Sequence, residues 1–340
     1  MSEPYVAAKD RCLLGESPIW SVEEQALYWV DIRNPTIHRL DPATGERKKI
    51  RVQTEIGSIG FATDNRLIAG TRMGFAFIGL SDGSWRDIAD PEGDGRLNRV
   101  RMNDGKVDRK GRFWCGGMDD PQMEELASLW RLDTDRSVHK MEGPVKISNC
   151  LCWSPDDTIL YFADSLKHQV WMYDFDLESG TIENRRTFLE VPPEEGVPDG
   201  ATVDAEGFVW IAHMRGGMVR RYDPDGKAER EYRFPASLTS CPALGGPDLM
   251  TLYVTTASTR FTEEDFAREP DAGSIFAADT GDGGQMVAAY TAQFGNGVSA
   301  SISAEQAMRR GTVNVNSSGF QRSEEHTSEL QSPCNLVCRL

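Results

Sequence analysis

The sequence predicts an all-β fold: a six-bladed β-propeller with four-stranded antiparallel blades around a central channel. Three observations predict it. Short apolar strand cores recur six times, starting at residues 27, 66, 112, 160, 209 and 252, so successive starts lie 39, 46, 48, 49 and 43 residues apart. Turns rich in Asp, Gly, Asn or Pro precede most of these cores, and a second strand and turn follow several. A repeat of about 40 to 50 residues that carries several strands is how a propeller blade reads in sequence. Long amphipathic helical patterns are absent up to residue 284. That excludes a parallel α/β sheet, whose crossovers need helices. A β-sandwich would not account for six near-equal units.

The elements follow in order. "LYWVD" at 27–31 comes after the turn "SVEEQ", and "RLIAG" at 66–70 after "ATDN". "RFWCG" at 112–116 follows "VDRKG", and "LYFAD" at 160–164 follows "SPDDT". "VWIAH" at 209–213 follows "VDAEG", and "LYVTT" at 252–256 follows "GGPDLM". Trp20, Trp114, Trp153 and Trp210 are expected to pack blade against blade. The one helical candidate is "FTEEDFARE" at 261–269, with Thr262 as its cap and glutamates in its first turn. "GSIFAADTGDGG" at 273–284 reads as a strand and turn placed to close the ring. The propeller domain is therefore assigned to 1–284, with 285–321 a tail of uncertain origin. Residues 322–340 resemble a translated sequencing-library adapter and are read as an artefactual extension, so His326, Cys334 and Cys338 count for nothing as ligands.

Composition narrows the function. With 39% hydrophobic and 26% charged residues, and no run of eighteen apolar ones, the chain is expected to be globular and away from the membrane. The first residues lack a basic patch followed by an apolar stretch, so a cytoplasmic protein is expected. A net charge of −16 repels nucleic-acid phosphates and anionic lipid, and favours a neutral small molecule or a cation as ligand. The expected assembly is a monomer or a weak homo-oligomer. The seven cysteines contain no Cys-x-x-Cys pair, and reduced, buried thiols are expected.

Inner strands of a propeller converge on the channel mouth, so polar residues near their ends can share one site. Three equivalent stretches carry acids or amides: "LLGESPIW" with Glu16, "KISNCLCWSPDD" with Asn149 and "GVPDGATVDAEG" with Asp199. "RVRMNDGKVD" adds Arg101 and Asn103. Two carboxylates and an amide oxygen form a hard donor set that suits Ca²⁺, Mg²⁺ or Mn²⁺ and admits Zn²⁺ or Fe²⁺. Three protein ligands would leave open positions, as catalytic metals require. The competing reading is local: Asp and Asn before Gly also serve turns, and the second "PDG", at 224–226, is read as only that. His213 is read as a satisfied interior histidine. There is no phosphate loop, and "GLSDGS" lacks the setting of a nucleophile elbow.

Taken together, "GESPIW", "YWVDI", "RMNDGKVDRKGRFWCGGM", "ISNCLCWSPDDTILYFADS", "PDGATVDAEGFVWIAH" and "GGPDLMTLYVTTA" resemble the gluconolactonase/regucalcin (senescence marker protein) family over residues 8–283. The resemblance implies a six-bladed propeller that binds one divalent metal and hydrolyses sugar lactones. It implies Glu16, Asn149 and Asp199 as metal ligands, and Arg101 and Asn103 as substrate contacts. Asp199 is then also the expected general base. The expected substrate is an aldonolactone such as glucono-, xylono- or arabinonolactone, opened to its aldonic acid. Asp104 and Gly105 are expected to be turn residues, and Lys106 and Asp108 solvated or structural. The sequence departs from the family at Cys150, where Ser-Asn-Gly becomes Ser-Asn-Cys. Asp119, Asp120, Glu124 and Glu125 all remain open as the acidic lid contact. Two alternatives stand beside this reading: a calcium-dependent esterase or phosphotriesterase of the same fold, and a non-catalytic calcium-binding scaffold. A chain ending at Gly284 is expected to fold and act as the full chain does. An insoluble truncation beside a soluble full-length protein would contradict that.

Overall fold

Each apolar core read from the sequence is the second strand of a four-strand meander, and six meanders form a ring. In the computed structural model, residues 3–93 and 99–281 are described, with short strands at 288–289, 291–292 and 302–303. Gly284, the extension 322–340, His326, Cys334 and Cys338 lie outside the described residues. Blade 1 comprises Gly15–Ser21, Ala26–Asp31, Thr36–Leu40 and Arg47–Arg51. Blade 2 runs from Ile56–Ala62 to Trp85–Ala89, and blade 3 from Val100–Val107 to Val138–Val145. Blade 4 runs from Ser148–Trp153 to Thr181–Glu190, and blade 5 from Val197–Val203 to Ala228–Arg233. Blade 6 takes Thr239–Gly245, Thr251–Thr256 and Ile275–Asp279, and its fourth strand is the N-terminal Tyr5–Ala8. The ring therefore closes with the chain's beginning, and the strand at 275–279 is third in its blade rather than last. Thr291–Ala292 adds a parallel pairing to Phe61–Ala62 of blade 2.

Second strands are buried on both faces because each blade packs between two neighbours. Ala26–Asp31 is buried at every position. Such strands read as continuous apolar runs. Outer strands such as Arg47–Arg51 are mostly exposed and polar, and so gave no signal in the sequence. The core is a series of inter-blade layers. Between blades 1 and 2, for example, Tyr28, Val30 and Ile37 pack on Ile59, Leu67 and Ile78. Trp29, Trp114 and Trp210 are fully buried.

One turn is built twice with the same parts. In "VDRKGRFW", Asp108 accepts the Lys110 and Arg112 backbone N–H groups at 2.9 and 3.1 Å and the Trp114 indole N–H at 2.9 Å. In "VDAEGFVW", Asp204 accepts the Glu206 and Phe208 N–H groups at 3.0 and 3.1 Å and the Trp210 indole at 2.8 Å. Gly111 and Gly207 hold φ of 79° and 87°, which a side chain would strain. The carboxylate thus shapes the turn and fixes the buried indole together. Asp204 also pairs with the buried Arg221 at 2.8 Å.

Removing Asp204 leaves two backbone N–H groups and the buried Trp210 indole without their acceptor and takes one of three carboxylates from Arg221. Asp204→Ala is expected to lower unfolding stability by about 3 kcal/mol. Asp225→Ala, at the exposed "PDG" turn, should stay within about 0.5 kcal/mol. Urea denaturation followed by tryptophan fluorescence measures both. A cost below about 1 kcal/mol for Asp204→Ala would show that its network is dispensable.

Candidate active site

All six inner strands carry a break in their pairing register near the same end. The breaks fall at Glu16/Ile19, Ile56/Ser58, Met102/Gly105, Asn149/Cys152, Pro198/Ala201 and Thr239/Cys241. A bulge re-aims side chains that a regular strand would alternate between its faces. Glu16, Asn103, Asn149 and Asp199 all sit at these bulges, on blades 1, 3, 4 and 5. Ser17 and Cys150, just after Glu16 and Asn149, hold left-handed φ of 49° and 58°. Cys150 thus keeps the backbone form that favours glycine, and its thiol donates to the Asp199 carbonyl at 2.9 Å.

Two aspartates anchor the entries to these strands. Asp31 accepts the Leu13 and Leu14 N–H groups at 3.0 and 3.1 Å, just before the strand with Glu16. Asp164 accepts those of Lys146 and Ile147 at 3.0 and 3.1 Å, just before the strand with Asn149.

The five residues expected from the sequence line one cavity of about 630 Å³ at this end of the channel. Arg101 Nη1 donates to Asn103 Oδ1 at 2.8 Å. Asn103 Nδ2 donates to the Ser148 carbonyl at 2.9 Å and to Asn149 Oδ1 at 3.2 Å. Asn149 Nδ2 donates to Ser165 Oγ at 2.7 Å, which turns its Oδ1 away from Ser165. Burial raises the Glu16 carboxyl well above its ordinary range, and the charges of Asp199 and Asp104 add to the shift. Burial likewise raises Asp199, reinforced by Asp104 and opposed by Arg101 and Asn149. Three buried carboxyl groups therefore share one electrostatic neighbourhood.

Asp104 and Gly105 lie in the inner strand of blade 3 and not in a turn. Asp104 is buried, and its Oδ2 accepts the Leu151 N–H of blade 4 at 2.9 Å. Of the four acids left open for the lid, Asp120 faces the cavity. Its Oδ1 accepts from Arg101 Nε at 3.2 Å and Arg33 Nη2 at 2.5 Å, and its Oδ2 from Arg72 Nη2 at 2.8 Å. Burial works to raise its carboxyl, but the hydrogen bonds from Arg33 and Arg72 outweigh it and hold the group well below the usual range. Asp119 is buried and receives Arg99 and two backbone N–H groups, while Glu124 and Glu125 are exposed. The helix Glu263–Arg268, capped by Thr262, contributes Asp265 to the cavity wall, a placement the sequence did not signal.

A family model described as the SMP-30/Gluconolactonase/LRE-like region matches residues 14–258. The chain belongs to this family. It is 37% identical over 269 residues to regucalcin of Xenopus laevis, covering 77% of this chain and 89% of that protein. It is 36% identical over 268 residues to 6-deoxy-6-sulfogluconolactonase of Pseudomonas putida, covering 78% and 90%. A crystal structure described as a calcium-binding protein, regucalcin, from Agrobacterium tumefaciens superposes with a TM-score of 0.77 at 26% identity, covering 83% and 96% of the two chains.

Within this SMP-30/gluconolactonase scaffold, the remaining singled-out residues are structural. Cys12, Cys115, Cys150, Cys152 and Cys241 are all buried and free. No helix among the described residues is long and apolar enough to cross a membrane. His213 is fully buried, with Nε2 2.9 Å from the Tyr222 hydroxyl and Nδ1 3.2 Å from the Glu195 carbonyl. Burial, with Arg220 nearby, lowers its pKa to about 4, against attraction from Glu195 and Glu231.

His213 is therefore neutral in the folded state at pH 5, where the unfolded chain protonates it. Its contribution to stability is intact above about pH 6.5 and is lost as pH falls toward 4, by roughly 3 kcal/mol in all. His213→Asn should flatten the stability–pH curve over that interval, measured by urea denaturation at several pH values. Parallel curves for both proteins would contradict the assignment.

Proposed function

We propose that the chain hydrolyses a sugar lactone with the aid of one divalent cation held by Glu16, Asn149 and Asp199. The observation that carries the reading is the buried Glu16–Asp199 pair, which shares its cavity with Asn149, Arg101 and Asn103. The donor set fits a hard cation. The third donor is the amide oxygen of Asn149, which lines the same cavity. Both carboxyls are raised by burial, Glu16 further by the charge of Asp199, and a bound cation would stabilise their ionised forms. Ca²⁺, Mg²⁺, Mn²⁺, Zn²⁺ and Fe²⁺ all suit this set. A divalent ion bound there supplies Lewis acidity toward an ester carbonyl and makes water more acidic.

The protein's own groups do the rest. Arg101 uses Nε and Nη1 within the protein and leaves Nη2 for a sugar hydroxyl. Asn103 holds Arg101 and Asn149 in register, so ring orientation and the ligand set are fixed together. Asp199 takes a proton from the attacking water. The water oxygen bonds to the lactone carbonyl carbon, the bond from that carbon to the ring oxygen breaks, and the ring oxygen leaves with the proton. The product is an aldonic acid. Asp120, already joined to Arg101, closes the substrate side of the cavity.

Acid release from glucono-, galactono-, xylono- and arabinonolactone, corrected for spontaneous opening, tests this after EDTA treatment and single-metal addition. Hydrolysis is expected to return with a divalent metal and to fall at least about 100-fold in Asp199→Asn. Metal-independent rates, or an active Asp199→Asn, would overturn the proposal.

A further inference from the structure

Four arginines line the cavity: Arg33, Arg101, Arg215 and Arg260. Arg33 and Arg101 are engaged, because both pair with Asp120 and Arg33 also pairs with Glu55. Arg215 and Arg260 have no ion pair or hydrogen bond with any described residue. The acids of the same cavity are all engaged. Glu16 and Asp199 form the proposed ligand set, Asp120 serves three arginines, and Asp265 is held by Arg268 and the Thr262 cap. Among the described residues, two guanidinium groups at the mouth of the cavity thus have no paired carboxylate, in a chain of net charge −16.

The fold brings these two to one cavity from loops of neighbouring blades. Arg215 follows the strand Val209–Met214 of blade 5, and Arg260 lies beyond Thr251–Thr256 of blade 6. Met214 bridges to Leu238, whose carbonyl accepts the Ala257 N–H at 2.8 Å, so the two loop starts are tied across the blade boundary. Both arginines are exposed, and both hold left-handed backbone, with φ of 71° and 63°. Long side chains are uncommon there, and glycine would be the easier choice if only a turn were needed.

We propose that Arg215 and Arg260 receive an anionic substituent of the substrate, so that the preferred lactone carries a phosphate, sulfonate or carboxylate away from its ester. This rests on the lactone reading above and names its substrate class. Guanidinium groups bind such oxyanions through paired N–H donors. The acidic surface as a whole favours a neutral ligand, but charges are screened over about 8 Å at physiological ionic strength. A molecule inside the cavity responds to the groups that line it and not to the distant surface. The expectation of a neutral substrate, drawn from net charge, is thereby revised at the mouth.

The test compares kcat/KM for glucono-1,5-lactone, its 6-phospho derivative and glucaro-1,4-lactone in the metal-loaded full chain. Arg215→Asn, Arg260→Asn and the double variant are run beside it, since Asn tolerates left-handed backbone. The wild type should prefer an anionic lactone over the neutral one by about tenfold, through KM, and each variant should lose most of that preference. Neutral-lactone turnover should stay within about twofold, and Arg→Lys should restore part of the preference. Which anionic lactone is favoured separates a tetrahedral from a planar anion. Equal treatment of neutral and charged lactones by the wild type, or an equal fall for both in the variants, would overturn the proposal. Calorimetric binding of 6-phosphogluconate against gluconate gives a second readout that needs no turnover. If no lactone is opened yet the phosphorylated acid binds more tightly through these arginines, the lactone reading fails and the anion receptor stands. If lactones are opened without regard to charge and the two acids bind alike, the receptor fails and the lactone reading stands.

Discussion

Two carboxylates buried at one end of the channel, Glu16 from blade 1 and Asp199 from blade 5, set the terms for the rest of the structure. Desolvating a carboxylate costs on the order of several kcal/mol, and a neighbour of like charge adds to it. Asp104, buried behind them, raises both. The ring must hold these groups together against that repulsion, so its closure matters. The closing segment is accordingly pinned on both sides. Tyr5–Ala8 completes blade 6, Cys12 N–H donates to the Gly273 carbonyl at 2.8 Å, and Asp10 meets Lys49 of blade 1 at 2.6 Å. Only a few residues later the same segment enters the strand that carries Glu16. Ring closure and placement of a candidate ligand are thus one structural event.

Around this floor lies a second layer of charge. Asp120 is shared by Arg33, Arg72 and Arg101, and Glu55 joins Arg33 and Arg72 from the other side. Such a network orients Arg101 and gives every member a partner of opposite charge, the condition under which buried charge confers order. It also draws on three blades. Arg101, the proposed substrate contact, is therefore positioned by the same inter-blade geometry that positions the proposed ligands.

Much of this was legible in the sequence, for definite reasons. The second strands are buried on both faces and therefore appear as apolar runs at the blade period. Glu16 stands out because an acid directly before an apolar strand has no turn to explain it. Other features were hidden. The inner strands do not alternate cleanly, because each is broken by a bulge. Asp104 followed by Gly105 has the local chemistry of a turn, yet it accepts a backbone N–H from the next blade. The N-terminal strand is short and half-exposed, and nothing local marks it as the outer strand of blade 6. Asp120 is one of four acids within seven residues of sequence, and only the position of three distant arginines distinguishes it.

Calorimetric titration of Mn²⁺ or Ca²⁺ into EDTA-stripped protein tests the central claim most directly, with Glu16→Gln beside the wild type. One saturable site per chain is expected, lost or weakened at least about tenfold in the variant because a charged donor becomes a neutral one. No saturable site, or equal affinity in a correctly folded Glu16→Gln, would contradict it.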